Sequence, residues 1–186
     1  HPFRVILDYG HNPAAIEAMA SLTDRLEVDG KRILVIAAPG DRRDQDITDI
    51  AKACAGHYDH YICRRDDNTR GRDGDEVPRM QRQALIDAGV PEEQIEMIPD
   101  EEAATARGLE LAEVGDLLMV FGDNIERTWG QITSYQSTEE PAKELRPAGK
   151  SDSAPALVPQ FTLEGDEELI RDERGVRLAK VVELED

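Results

Sequence analysis

Asp8, His11 and Asn12 stand within the run Asp8-Tyr9-Gly10-His11-Asn12-Pro13, directly after the apolar stretch Arg4–Leu7. A carboxylate, an imidazole and a carboxamide gathered at a strand end can hold the hydroxyls and phosphates of a nucleotide through charge-assisted hydrogen bonds. Asn12 also suits a helix N-cap, and Pro13 suits the first helical turn, where its missing N–H is not needed. The free N–H groups of such a turn face whatever lies above the strand. The plainer reading of the same residues is a capped helix after a strand, so the rest of the chain has to decide.

Three more runs carry unusual residues. Pro39-Gly40-Asp41-Arg42-Arg43-Asp44 follows a second apolar stretch, and Asp66-Asp67-Asn68-Thr69-Arg70-Gly71-Arg72 lies inside a long connection, Arg64–Glu76. Gly122-Asp123-Asn124, leading to Arg127, follows the last apolar stretch. A loop of about a dozen residues in a compact domain is more often functional than idle.

The elements that must position these runs follow from periodicity. Arg4–Leu7, Ile33–Ala37, His60–Cys63, Ile95–Ile98 and Leu117–Phe121 have the length and composition of strands. Between them, Ala14–Leu26, Ile47–Ala55, Val77–Ala88 and Glu101–Ala112 show helical spacing, and Asn124–Tyr135 closes the series. In the first helix Ile16, Met19, Ala20, Leu22 and Leu26 are expected to point inward, and in the last Ile125, Trp129 and Ile132 share one side. Continuous rather than alternating apolar strands imply burial on both faces. The expected fold is therefore α/β, a doubly wound, Rossmann-like, mostly parallel sheet of five or six strands with helices on both faces. Ligands of such sheets bind beyond the carboxyl ends of the strands, and all four charged runs stand there.

Residues 1–135 form the expected domain. From Gln136 to Gln160 the composition turns to Ser, Thr, Glu, Pro and Lys, which reads as a linker. Within the loosely attached tail, 136–186, Phe161–Leu163 and the pair Leu169–Arg171 and Val176–Val182 suggest a short hairpin joined around Asp172-Glu173-Arg174-Gly175.

The formal net charge of −18 over 186 residues makes duplex nucleic acid and anionic membrane poor partners. The chain has neither an apolar run near the roughly 18–20 residues that span a bilayer nor a basic-then-apolar leader, so a cytoplasmic protein is expected. It begins at His1 and enters a strand within three residues, which reads as a piece of a longer protein. Cys54 and Cys63 lack metal or disulfide spacing and read as small buried thiols. His57 and His60 form an HxxH without a matching ligand pair, which favours a structural role over zinc.

Neither GxGxxG nor GxxxxGK[ST] occurs, so the domain alone is neither a dehydrogenase nor a P-loop enzyme. Taken in order and spacing across residues 3–135, DYGHNP, PGDRRDQD and DDNTRGR resemble the C-terminal domain of the Mur ligase superfamily, most closely that of the cyanophycin synthetases. Gly10 stands where that motif usually has alanine, a change expected to be harmless. The resemblance implies the C-terminal lid and substrate domain of an ATP-dependent ligase that phosphorylates a carboxylate and lets an amino-acid amine attack the acyl phosphate. In the cyanophycin synthetases that reaction joins arginine to the β-carboxylate of a poly-aspartate backbone.

By the same resemblance, Asp8, His11 and Asn12 close over ATP, while Asp41, Arg42, Arg43, Asp44, Asp67, Asn68, Arg70 and Arg72 line the amino-acid end of the cleft. Acids and arginines side by side suit a substrate set of guanidinium, α-carboxylate and acidic polymer. Implied cofactors are ATP and magnesium, the latter held mainly by a central domain that this chain lacks. Implied partners are arginine, an acidic polypeptide and the other domains of the same synthetase, within a homo-oligomeric whole protein. The chain alone is expected to be inactive. Other readings are an architectural domain of a paralogue with an inactive Mur half, a stand-alone binding domain, and another ligase of the Mur or folylpolyglutamate type.

Overall fold

The apolar runs assemble into one sheet whose strands bury side chains on both faces. The computed structural model describes residues 1–136, 167–172 and 175–180. In it β1 (Arg4–Asp8), β2 (Arg32–Ile36), β3 (His60–Cys63), β4 (Ile95–Met97) and β5 (Leu117–Phe121) pair in parallel, in the order β1-β5-β2-β3-β4. Between them run α1 (Pro13–Asp24), α2 (Asp44–Cys54), α3 (Glu76–Asp87) and α4 (Glu101–Leu111), and α5 (Ile125–Ser134) follows β5.

Side chains alternate along a strand, and the core divides accordingly. Leu34, Ile36, Tyr61, Cys63, Met119 and Phe121 meet Ile16, Ile50 and Leu85 from α1, α2 and α3 on one face. Ile33, Val35, Ile62, Leu118 and Val120 meet Ala104, Leu109 and Ile132 from α4 and α5 on the other. The chain lays three helices on the first face, and α4 then crosses the second so that β5 inserts between β1 and β2. Connections therefore leave β5 and its two neighbours toward opposite faces, which opens a crevice at their carboxyl ends.

The elements fall within about three residues of their expected limits, and the sheet has five strands. Three details differ. β1 is an outer strand paired only with β5, so all five of its residues are partly exposed rather than fully buried. In α1 the inward face is Ile16, Ala20 and Thr23, whereas Leu22 is exposed. Thr23 goes inward because its hydroxyl finds the Ala20 carbonyl at 2.8 Å and the Tyr58 hydroxyl at 3.2 Å. In α5, Thr128 and Ile132 are buried while Ile125 and Trp129 face outward.

Cys54 and Cys63 are free and buried, and burial pushes both thiols up in pKa. His57 and His60 are taken up by Asp24 and Glu96, at 2.7 and 3.0 Å. No helix among the described residues is long and apolar enough to cross a membrane.

The chain divides into two compact units, His1–Leu145 and Arg146–Asp186. In the second, β6 (Glu167–Asp172) and β7 (Gly175–Lys180) pair antiparallel with Leu169 opposite Leu178 and Asp172 opposite Gly175. That is the expected hairpin, whereas Phe161–Leu163 and the linker beyond Gln136 lie outside the described residues.

Candidate functional site

At the end of β1 the Asp8 carboxylate accepts a hydrogen bond from the Gly10 N–H at 2.6 Å and closes a tight turn. A Cβ on Gly10 would stand 2.8 Å from that same carboxylate oxygen and 3.3 Å from the Phe121 ring. Glycine here lets Asp8 fold over its own turn. His11 Nδ1 donates to the Tyr9 carbonyl at 2.7 Å, and the ring meets Tyr9 edge-on with centroids 4.8 Å apart. Because a carbonyl only accepts, the ring proton sits on Nδ1 and Nε2 is left free. Asn12 Oδ1 accepts from the Ala15 N–H at 3.0 Å and caps α1, with Pro13 in the first turn.

The loops after β2 and β3 are clasped together. Arg72 Nε donates to the Gly40 carbonyl at 2.7 Å, and its Nη2 donates to the Arg42 carbonyl at 2.8 Å and to Asp44 at 2.7 Å. Arg70 has a positive φ of 53°, held by its N–H donating to Asn68 Oδ1 at 2.9 Å. From there its Nη1 reaches both oxygens of Asp41, at 3.1 and 3.0 Å, and holds that carboxyl below its ordinary pKa. Arg43 turns back onto Asp46 in the first turn of α2.

The clasp requires a glycine, since a Cβ on Gly40 would lie 2.1 Å from the Thr69 carbonyl oxygen. Gly40→Ala should therefore push the two loops apart and cost about 2 kcal/mol, in the range of core overpacking. Urea unfolding of the chain measures this, and a loss below about 0.5 kcal/mol would show that the loops part freely.

A second bracket ties the β3 loop to the β5 end, and sequence reasoning missed its centre. Glu101, the first residue of α4, is 1 % exposed. It accepts the Asp123 N–H at 2.7 Å and the Thr128 hydroxyl at 3.2 Å, and pairs with Arg64 at 3.1 Å and with Arg127. Arg64 is fully buried and also donates to the Phe121 carbonyl at 2.6 Å. Arg127 continues to Asp67 at 2.6 Å and holds that carboxyl below its usual range. Thus Asp41, Asp44 and Asp67, the acids singled out by the resemblance, each carry an arginine of this chain.

These loops enclose a cavity of about 160 Å³ at the carboxyl ends of β1, β5, β2 and β3. Its charged lining is His11, Arg42, Arg64, Asp66, Arg70 and Asp123. Of the residues expected at the amino-acid end, only Arg42 and Arg70 reach the cavity wall; Arg43 is turned away onto Asp46, while Asn68 and Arg72 stand behind the wall as supports. The volume suits a charged head group and is too small to enclose a nucleotide. For ATP, the chain offers the Ala14 N–H of the first turn of α1, where Pro13 has no N–H and those of Ala15 and Ile16 go to Asn12, and His11 Nε2, which donates to a phosphate oxygen when the ring carries a second proton. Among the described residues no group of three or more His, Cys, Asp or Glu side chains could hold a metal ion.

The chain is 33% identical over 150 residues to the cyanophycin synthetase of Trichormus variabilis, covering 78% of this chain and 16% of that protein. It is 36% identical over 129 residues to that of a Nostoc species, covering 67% and 14%. The chain thus spans only about a sixth of the length of these relatives. Among solved structures, a UDP-N-acetylmuramoyl-L-alanyl-D-glutamate–2,6-diaminopimelate ligase shares the fold at a TM-score of 0.56 and 22% identity, over 64% of this chain and 24% of that one. Residues 1–124 match the family model for the Mur ligase glutamate ligase domain, and the chain belongs to that family.

Proposed function

We propose that this domain is the C-terminal lid and amino-acid side of an ATP-dependent ligase of the cyanophycin synthetase kind. In that role it helps join arginine to the β-carboxylates of a poly-aspartate backbone through an acyl phosphate. The observation that carries the reading is the convergence of the three motif loops on one cavity, mixed in charge and open at the strand ends. Asp8, His11 and Asn12 take the nucleotide side. Asp41, Arg42, Arg43, Asp44, Asp67, Asn68, Arg70 and Arg72 shape the amino-acid side, several of them by holding one another.

The chain's residues contribute closure and orientation. ATP, when bound, supplies the phosphoryl group that activates the carboxylate. His11, braced through Nδ1, presents Nε2 to the nucleotide, and the imidazolium form, with a proton on each nitrogen, donates a charge-assisted hydrogen bond there that contributes about 1.5–3 kcal/mol. His11→Ala in the full-length synthetase should therefore slow ATP-dependent amide formation from poly-aspartate and arginine by at least roughly tenfold. Its melting temperature should stay unchanged, because His11 stands on the rim. A variant that melts much earlier but keeps full specific activity would assign His11 to the fold and not to the nucleotide. Absence of arginine incorporation by the full-length protein itself would overturn the proposed reaction.

A further inference from the structure

The pairing pattern separates the acids around the cavity into two groups. Asp41, Asp44 and Asp67 are each bonded to an arginine. Asp66 and Asp123, which line the cavity, accept no hydrogen bond at their carboxylates among the described residues, and Asp66 meets an arginine only in a loose ion pair with Arg64. Asp66 is 7 % exposed, and its nearest cation, Arg64 Nη1, lies 3.6 Å away, beyond hydrogen-bond range. Arg64 is itself committed to Glu101 and to the Phe121 and Arg65 carbonyls.

A buried carboxylate without a donor pays desolvation and gets little back. Such a group persists in folds where something else completes it, commonly a ligand. Burial first, and the neighbouring Asp123 second, push the Asp66 carboxyl up to about 6. A cation entering the cavity would meet two carboxylates and relieve both effects at once. Resting on the ligase reading above, we propose that Asp66 and Asp123 form the seat for a cationic nitrogen of the incoming amino acid. The seat lies deeper than the arginine-bonded acids of the rim, which keep the loops in shape around it.

Two measurements test the seat separately from the ligase reading. In the full-length synthetase, Asp66→Asn and Asp123→Asn should each raise the KM for arginine at least tenfold and leave the KM for ATP within twofold of wild type. Comparison with citrulline, whose side chain is neutral, locates the contact. If the variants erase discrimination between arginine and citrulline, the seat holds the guanidinium; if both substrates weaken equally, it holds the α-ammonium. An arginine KM within twofold of wild type in both variants, or a parallel rise in the KM for ATP, would overturn the seat while leaving the ligase reading intact. Independently, titrating the 186-residue chain with arginine should shift the amide NMR signals of Asp66, Gly122 and Asp123, and Asp66→Asn should abolish those shifts. If those shifts occur but the full-length protein makes no amide bond, the seat stands and the ligase reading falls. Absence of shifts in the wild-type chain at saturating arginine counts against the seat.

Discussion

Replacing Glu101 by glutamine should destabilise the 186-residue chain by about 3–5 kcal/mol, the cost of removing one partner from a buried ion pair. Arg64 would stay behind, fully buried, its guanidinium already disfavoured by desolvation and now without the carboxylate at 3.1 Å. Arg127 would lose its inner partner as well and keep only Asp67 and Glu102. For a domain of this size the loss lowers the melting temperature by roughly 10 °C, which thermal unfolding followed by circular dichroism reads directly. The double variant Glu101→Gln with Arg64→Met should recover part of the loss, because the buried guanidinium is then no longer left without its carboxylate, even though Asp66 loses its ion pair at 3.6 Å. A single variant that melts within 2 °C of wild type would show that Glu101 does not carry this bracket.

Asp66→Asn should do the opposite and stabilise the chain, increasingly so as the pH rises. The folded-state pKa of Asp66, about 6, lies above the ordinary 3.8, so between those values the native state holds its proton more tightly than the unfolded state. Wild-type stability from this group is accordingly present below about pH 4 and is lost as the pH climbs through 6. A shift of about two units corresponds to roughly 3 kcal/mol at the alkaline plateau. The advantage of Asp66→Asn should grow by about 1–1.5 kcal/mol between pH 5 and pH 8 in urea titrations. A gap independent of pH, or one that closes as the pH rises, would mean that the carboxyl titrates normally. Paired with the expected loss of arginine affinity, this variant would trade function for stability, as substitutions at strained functional positions do.

The strands are legible in the sequence because each is a continuous apolar run, and the loops because their residue types are rare beside such runs. Packing between distant residues is not. Leu22 and Trp129 fit an apolar helix face by spacing alone, yet Thr23 takes the inward place of Leu22 once Tyr58, 35 residues away, offers it a hydroxyl. Glu101 reads in sequence as an ordinary first-turn acid that complements a helix dipole. Its burial is dictated by Arg64 and Arg127, which only the sheet order brings to it. For the same reason the rim acids look available in the sequence. Their arginine partners lie 28 to 60 residues away along the chain, and no local spacing announces those pairs.

The Arg72 clasp bears on how this domain can be re-engineered and on how it can diversify. One guanidinium is anchored to two carbonyls and one carboxylate of the neighbouring loop. Transplanting the 64–76 segment alone into a related scaffold would bring the guanidinium without the acceptors shaped to receive it. The 39–44 and 64–76 segments are therefore one heritable cassette, to be exchanged together, and chimaeras that split them should fail more often than those that carry both.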